Sequence, residues 1–459
     1  MNNTIIKRFI FSRIKNHIDN FLNKKEEKHE RFITILGLRG SGKTTLLKGI
    51  REYLINKKIS ENIIIIDNLK INNYNLELYI NKILTTLSKN PRTPIFLLFD
   101  DIDHDPKWAS ILKAVYENYQ NTFIITTSSS ILKLEINGFS DLAGRVRREY
   151  IFPLNFIEYL KMVGKIDKHL ESNPIKNLLL RLLSGSLSPN KFIHYINNIY
   201  DLSNDNKKII TYNELKSFSD EFENFLKYGG FPLSAQDKEA YKDKLFQTIE
   251  NILFEVPFYY QARYRREFPL KDPDLKNILN VLADSDGTNI NSLSNYLGID
   301  KKTIENFLYI LEEAFLIFSV KPFGNAEKTI KKPPKYCFIT PTIRFMIKIL
   351  SGTFKDCDIG FMLEDYIASS LYKITKTYDN PKINFFYDPI ENSADFIIKT
   401  KNNKIIPVEV KYGKDKNAEK QVRNSMKRYN TEYGIIIGDY ELEFKDNILY
   451  MPKELFLIL

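Results

Sequence analysis

Between residues 31 and 153 the chain alternates short, uninterrupted apolar runs with stretches in which apolar residues recur every three or four positions. The runs Arg31–Leu36, Asn62–Ile66, Ile95–Phe99, Phe123–Thr127 and Tyr150–Phe152 predict strands, and helical patterns of ten or more residues separate the first four. Continuous Ile, Leu and Phe runs, rather than alternating ones, are what a parallel sheet needs when both faces are covered. This region therefore predicts an α/β domain with a doubly wound parallel sheet.

From about residue 155 to 260 the strand-like runs stop. FIEYLKMV, IKNLLLRLL, KFIHYINNIY and EFENFLKY carry helical periodicity, and YGGFP at Tyr228–Pro232 punctuates them. Residues 272–322 read as a helix, a short helix, a Gly-containing turn, a longer helix and a β-run, which resembles a winged helix-turn-helix. A plain helical subdomain is the simpler alternative. The basic, Pro-containing stretch Phe323–Lys335 marks a boundary. Beyond it the strands INFFY, ADFII, IIPVEVKY, YGIIIG and NILYM alternate with the helices FMLEDYIASSLYKI and NAEKQVRNSMKRY. The division read from these shifts is 1–153, 154–265, 266–325 and 326–459, without internal repeats or low-complexity tracts.

Composition narrows the class. A chain of 459 residues, 43% hydrophobic and 27% charged, has material for several cores, and wholesale disorder is excluded. No run resembles eighteen uncharged apolar residues, so no membrane-spanning helix is expected. The N-terminal MNNTIIKRFIFSRIKNH mixes Ile and Phe with Lys and Arg and does not read as a signal peptide. The two cysteines, Cys337 and Cys357, form no Cys-x-x-Cys, and the five histidines are scattered. A reducing cytoplasmic setting without disulfides or zinc knuckles is expected. Net charge +10 allows a phosphate-rich partner without requiring one, and an AT-rich genome also accounts for much of the Lys, Ile and Asn.

The clearest chemistry lies directly after the first predicted strand. Gly37-Leu38-Arg39-Gly40-Ser41-Gly42-Lys43-Thr44 fits G-x-x-x-x-G-K-[ST], and Thr45 opens the helix that follows. Glycines let successive N–H groups face one concavity, and the helix N-terminus adds positive charge. Lys43 is expected on the β- and γ-phosphates of ATP and Thr44 on Mg²⁺. IFLLF-Asp100-Asp101 supplies carboxylates at the end of another buried strand. Asp100 is read as the Mg²⁺ partner and Asp101 as the residue that orients water, helix capping being the alternative. Asp103 and Asp105 read as loop carboxylates. In FIITTSSS, Thr127 or Ser128 is a candidate γ-phosphate contact if its strand lies between the other two, and a strand-end cap otherwise. Arg145, in LAGR, is either a surface arginine or one that stabilises phosphoryl charge in a neighbouring subunit.

Gly-x-Arg-x-x-Gly-Lys-Thr-Thr at 37–45, Asp100-Asp101 with Pro106-Lys-Trp108, TSSS, LAGR, PLNFIEYL and YGGFP together resemble the prokaryotic AAA-type ATPases that carry a C-terminal nuclease-like domain. The resemblance continues through KKTIENFLYILEEAFLIFSVKPF, PPKYCFITP, LEDYIASSLY, ADF and PVEVK, nearly the whole chain. It implies a helical lid, a winged-helix-like module and a last domain of the PD-(D/E)XK nuclease-like α/β fold. Two departures stand out. The family's usual Asp-Glu is Asp100-Asp101 here, and its Glu-Val-Asp is Ser393-Ala394-Asp395.

In that last domain Asp395 sits on one apolar strand and Glu409-Val-Lys411 on the next, where residues i and i+2 share a face. Asp395 and Glu409, with Glu364 from the preceding helix, are the candidate Mg²⁺ ligands, and Lys411 the group that positions water or offsets charge. An ordinary exposed strand face is the alternative. Lys401, Lys404, Lys414, Lys416 and Lys420 suit a phosphate backbone or a solvated basic face. The segment with Arg263, Arg265, Arg266 and Tyr259, Tyr260, Tyr264 suits nucleic acid or packing between domains. The expected partners are ATP, DNA or RNA, and a nucleotide-dependent second copy, with no membrane.

Overall fold

In the computed structural model the described residues are 8–23, 30–59, 64–68, 76–87, 93–102, 107–136, 138–167, 173–199, 210–285, 290–324, 332–377, 383–413 and 416–459. Asn62 and Ile63 of the second predicted strand, Asp103, Asp105, Pro106 and Lys414 lie outside them. Contacts group the chain into two compact units: Met1–Phe152 with Phe254–Phe268 and Glu313–Phe315, and the remainder.

The first unit holds α1 (Phe9–Leu22), β1 (Phe32–Leu36), α2 (Lys43–Asn56), β2 (Ile64–Asn68), α3 (Leu76–Leu87), β3 (Ile95–Asp100), α4 (Trp108–Asn118), β4 (Thr122–Ser128), α5 (Ile131–Ile136) and β5 (Arg147–Tyr150). The strands form one parallel sheet in the order β2-β3-β4-β1-β5. Alternate residues serve alternate faces. Ile33, Ile35, Phe96, Leu98, Phe123 and Ile125 share a core with α1 and α2. The intervening Phe32, Leu97, Phe99 and Ile124 are equally buried, and Phe32 meets Tyr116 of α4 at 6.4 Å between ring centroids. Helices thus cover both faces, which is why the strands read as continuous apolar runs. α1 was not anticipated, although Ile10, Phe11, Ile14 and Ile18 form a buried helical stripe.

The second unit begins with short helices: α6 (Phe156–Met162), α7 (Asn173–Leu183), α8 (Pro189–Asn197), α9 (Tyr212–Lys216), α10 (Phe222–Tyr228), α11 (Pro232–Gln236) and the first part of α12 (Lys238–Tyr264). α6 starts at a capping box in which Asn155 and Glu158 satisfy each other's backbone N–H groups. Then come α13 (Asp272–Ala283), α14 (Ile290–Leu297), α15 (Lys301–Glu313) and the antiparallel pair β6 (Ile317–Val320) and β7 (Lys335–Phe338). Of α15, only Lys301, Lys302 and Glu305 are exposed.

α16 (Pro341–Leu350) and α17 (Asp358–Thr377) lead into a six-stranded sheet. Its strands are β8 (Ile383–Tyr387), β9 (Phe396–Thr400), β10 (Ile405–Val410), β11 (Gly434–Gly438), β12 (Glu443–Lys445) and β13 (Ile448–Pro452), in the order β12-β13-β11-β10-β9-β8. β8, β9 and β10 form an antiparallel meander, whereas β11 runs parallel to β10 after the crossover helix α18 (Lys416–Tyr429). Ala418 and Val422 of α18 pack on Ile436 and Ile448 of the sheet.

A buried ion pair organises the middle of this unit. Arg344 of α16 donates from Nε and Nη2 to Asp365 of α17 at 2.5 and 3.1 Å, and from Nη1 to the carbonyls of Ala283 and Ser285, both at 2.7 Å. One fork therefore joins three helices and satisfies carbonyls at the end of α13. No sequence motif flagged it.

Candidate functional site

Two sites emerge, one in each unit. In the first, β1 delivers its chain into the glycine-rich loop, and α2 starts at Lys43 with Gly42 as its left-handed cap at φ 99°. Gly37 is forced by proximity: a Cβ there would lie 2.3 Å from the Ile151 carbonyl oxygen. Lys43 is buried, and its ammonium donates to the carbonyls of Gly37 and Leu38 at 2.8 and 3.2 Å. Thr44 and Thr45 are exposed at the mouth of the loop, as are Arg39 and Gly40.

β4 lies between β1 and β3, so its C-terminal end stands between the loop and Asp100. The Thr44 hydroxyl donates to Asp100 Oδ2 at 2.6 Å, and the Thr127 hydroxyl donates to Asp100 Oδ1 at 2.6 Å. Thr127 Oγ1 also accepts the Asp101 N–H at 2.9 Å, where the backbone turns with Asp101 at φ 52°. Asp tolerates that conformation because its short polar side chain can bond locally. Strand alternation sends Ser128 elsewhere: its hydroxyl donates to the Ser130 carbonyl at 3.0 Å and accepts the Ser130 N–H at 3.1 Å. The sequence left Thr127 and Ser128 equivalent; in the structure only Thr127 bonds Asp100.

The hydroxyl of Thr44 and the carboxylate of Asp100 are hard oxygen donors in contact, the donor type that Mg²⁺ takes. The residues present fit that ion. Arg145 lies toward the opposite end of the strands, before β5, the neighbour of β1. It precedes β5, whose first residue Arg147 pairs with Ile33 near the start of β1, and it binds Glu117 at the end of α4, with Nη2–Oε1 2.8 Å. The loop leaves β1 at its far end, about 13 Å from Ile33 at 3.3 Å per residue. Arg8, which no motif singled out, does reach the loop and bonds the Ser41 carbonyl at 2.9 Å.

In the second unit the register pairs Val408 with Phe396, which sets Glu409 opposite Asp395. The Asp395 N–H donates to Glu409 Oε2 at 3.0 Å, and Asp395 Oδ2 accepts the Val410 N–H at 2.7 Å. Lys411 Nζ stands 2.8 Å from Glu409 Oε1. The Lys411 ammonium is the contact of this fully buried oxygen. Burial first, and the Asp395 charge second, push the Glu409 carboxyl up to about 9, with Lys411 offsetting only part. Burial opposes the charge on Lys411, but Asp395 and Glu409 outweigh it and raise its pKa, with Glu364 of α17 adding to the effect.

A buried carboxylate beside a second carboxylate fits a divalent cation. Yet among the described residues no group of three or more His, Cys, Asp or Glu is arranged to hold a metal. Glu364 is felt here through its field on Lys411. Mg²⁺ commonly takes one or two carboxylates and completes its shell with water and phosphate oxygens, so the pair is compatible with it.

The remaining candidates are less open than expected. Tyr259 and Tyr260 are buried, and Tyr260 packs on Tyr264 and Phe268 at 4.8 and 5.1 Å. These rings face each other instead of lying bare for bases, and Arg263 pairs with Glu135 at 3.6 Å. Lys401, Lys404 and Lys420 are exposed, Lys404 pairing with Glu432 at 3.0 Å.

A phosphate loop joined to an acidic strand end across an intervening strand is the arrangement of a P-loop nucleotide-binding domain, and the family described as AAA domain matches residues 29–160. Two domains of unknown function match further on, DUF8612 at 219–349 and DUF4143 at 359–456. The chain belongs to the same family as "Uncharacterized protein MJ1637" of Methanocaldococcus jannaschii, with which it is 31% identical over 99% of its own length and 89% of the relative's. "Uncharacterized protein MJ1544" of the same organism is 25% identical over 82% of this chain and 73% of its own. Among solved structures, the Walker-type ATPase PABY2304 of Pyrococcus abyssi is similar at 14% identity and TM-score 0.39, covering 76% of this chain and 97% of that one. Among the described residues, no helix is long and apolar enough to cross a membrane.

Proposed function

We propose that the chain binds ATP with Mg²⁺ at the first site, hydrolyses it, and couples the nucleotide state to a phosphodiester-binding site in its last domain. The observation that carries the first half is the chain of contacts Thr44–Asp100–Thr127, which joins the phosphate loop to the acidic strand. Thr44 and Asp100 are the residues that would hold Mg²⁺, whose charge, when bound, draws the phosphates' negative charge. Loop amides from Gly37 to Thr45 cradle the phosphates, and Lys43 leaves the Gly37 and Leu38 carbonyls to bind them. Asp101, next to the Thr127 hydroxyl, orients the attacking water. Arg145, at the end of the strands away from its own loop, serves the site of a neighbouring copy, so turnover requires a nucleotide-dependent oligomer. The helices of 154–265 act as a lid.

For the last domain, the antiparallel meander, the parallel return after α18 and the Asp395, Glu409, Lys411 grouping support a PD-(D/E)XK nuclease-like fold. We read it as a Mg²⁺-dependent nuclease acting on DNA or RNA, held by exposed lysines around its rim. The helices α13 to α15 with β6 and β7 support a winged-helix module, but α15 is too covered to read a groove with its face. A second reading, a domain that binds nucleic acid or protein without cutting, is favoured by Ser393-Ala394 ahead of Asp395 and by the absence of a third metal-holding carboxylate among the described residues.

The two halves are tested separately. Phosphate release from ATP and Mg²⁺ should be lost in Lys43→Ala. Nicking of DNA with Mg²⁺ should be lost in Glu409→Ala, and absent nicking in the unaltered protein with DNA binding intact selects the second reading.

A further inference from the structure

The first helix touches the nucleotide loop through one side chain. Arg8 stands immediately before α1 in extended conformation, φ −66° and ψ 151°. α1 docks along α2: Ile10, Ile14 and Ile18 enter the same core as Leu46, Ile50 and Leu54. That docking brings the Arg8 guanidinium to two carbonyl oxygens. Nη1 donates to Ser41 at 2.9 Å and Nη2 to Phe152 at 2.5 Å.

The carbonyl of Ser41 and the N–H of Gly42 belong to one peptide unit. In a trans peptide these two groups point in opposite directions. Holding the Ser41 oxygen against Arg8 therefore aims the Gly42 N–H away from Arg8, and a loop that accepts phosphate needs its amides turned inward together. The peptide is otherwise easily turned over, because Gly42 sits at φ 99° and glycine crosses φ space at little steric cost. The Ser41 side chain supplies no competing anchor, since its buried Oγ has no hydrogen-bond partner.

We propose that Arg8 is a positioning residue for the triphosphate. Its two-pronged grip fixes the Ser41–Gly42 peptide in the anion-accepting orientation and ties it to Phe152, two residues beyond β5. The inference rests on the reading of the loop as an ATP site, and it makes the N-terminal helix part of that site as well as a covering for the sheet.

The experiment is equilibrium binding of a fluorescent ATP analogue to the full chain, paired with thermal melting without nucleotide. Arg8→Ala should raise the Kd about tenfold, the scale of one hydrogen bond from a charged donor, with little change in melting. Arg8→Lys, which keeps the charge and can hold one carbonyl, should recover part of the loss. Arg13→Ala removes a separate contact of the same helix, to Glu149 at 2.6 Å, and should lower the melting temperature without raising the Kd. Equal affinity of the unaltered chain and Arg8→Ala overturns the proposal. So does an equal loss in Arg13→Ala, which would make helix docking the cause. Should Arg8→Ala not fold, Arg8→Lys decides, and unchanged affinity in it counts against the idea. If the unaltered chain itself binds no ATP analogue, as Lys43→Ala should not, the ATP reading has failed and this inference falls with it.

Discussion

Replacing Thr127 by valine keeps the shape of a fully buried strand residue and removes one hydroxyl. That hydroxyl donates to Asp100 Oδ1 at 2.6 Å and accepts the Asp101 N–H at 2.9 Å. A hydrogen bond to an ionised carboxylate contributes about 1.5–3 kcal/mol, and depriving a partly buried N–H of its acceptor costs about 1–3 kcal/mol more. The second effect falls mainly on folding, and at this size it lowers the melting temperature by about 2–4 °C per kcal/mol. The first falls on the orientation of Asp100, which then relies on Thr44 alone. If that orientation is needed only as phosphoryl transfer proceeds, kcat drops by about 10- to 150-fold, at a factor of ten per 1.36 kcal/mol. The KM for ATP should stay within about twofold, because the loop amides and Lys43 are untouched. Steady-state phosphate release at saturating ATP and Mg²⁺, beside nucleotide affinity, separates these quantities. Thr127→Ser should restore turnover. Ser128→Ala should leave kcat nearly unchanged, since that hydroxyl bonds the Ser130 backbone. A Thr127→Val enzyme with unaltered kcat, or an equal loss in Ser128→Ala, would refute the reasoning.

Three further outcomes follow from other parts of the molecule. Arg145→Ala should leave ATP affinity intact while reducing turnover most at protein concentrations where the unaltered chain associates, read by phosphate release across a dilution series; a concentration-independent rate in the unaltered protein removes its proposed role. Asp365→Ala leaves the Arg344 guanidinium buried without its carboxylate and should destabilise the second unit by about 3–5 kcal/mol in urea unfolding, while the double change Arg344→Met with Asp365→Leu recovers only part of that loss, because the Ala283 and Ser285 carbonyls and the Phe338 N–H then lose their partners. Glu409 titrates upward from 4.5 to about 9, so the folded state holds a proton that the unfolded state has released. Its contribution is complete below pH 4.5 and is lost as pH rises through about 9, at most about 1.4 kcal/mol per pH unit. In EDTA, unfolding measured across that window should decline with pH for the unaltered chain and flatten in Glu409→Gln. Parallel slopes would show that this carboxyl titrates normally.

What could be read from the chain alone depended on how local each determinant is. The first four strands of the first unit were legible because a sheet covered on both faces writes each strand as an unbroken apolar run, such as IFLLF in β3, whereas β5 is the polar RREY at Arg147–Tyr150 and not the Tyr150–Phe152 expected. The phosphate loop was legible because its glycines and lysine are contiguous. The order of the strands was not, since nothing in FIITT states that β4 inserts between β1 and β3. Yet that insertion is what brings Thr127 to Asp100, alternation along the strand then excluding Ser128. The same limit explains Arg344 and Arg8. Each acts on backbone carbonyls far away in sequence, 61 residues for Ala283 and 33 for Ser41, and a carbonyl carries no residue identity from which its partner could be inferred. Function shows the same division. Glu409 and Lys411 share a face by simple alternation, so their pairing could be expected, whereas the state of Glu409 depends on burial and on Asp395 from another strand. The helices α13 to α15 are the opposite case: their sequence resembles a winged helix-turn-helix, and Phe307, Leu308 and Ile310 of α15 are spent on the core. If the proposed contact with nucleic acid is made by the last domain, substitution of Lys401 and Lys420 should weaken DNA binding in a salt-dependent way while Lys301 and Lys302 matter little.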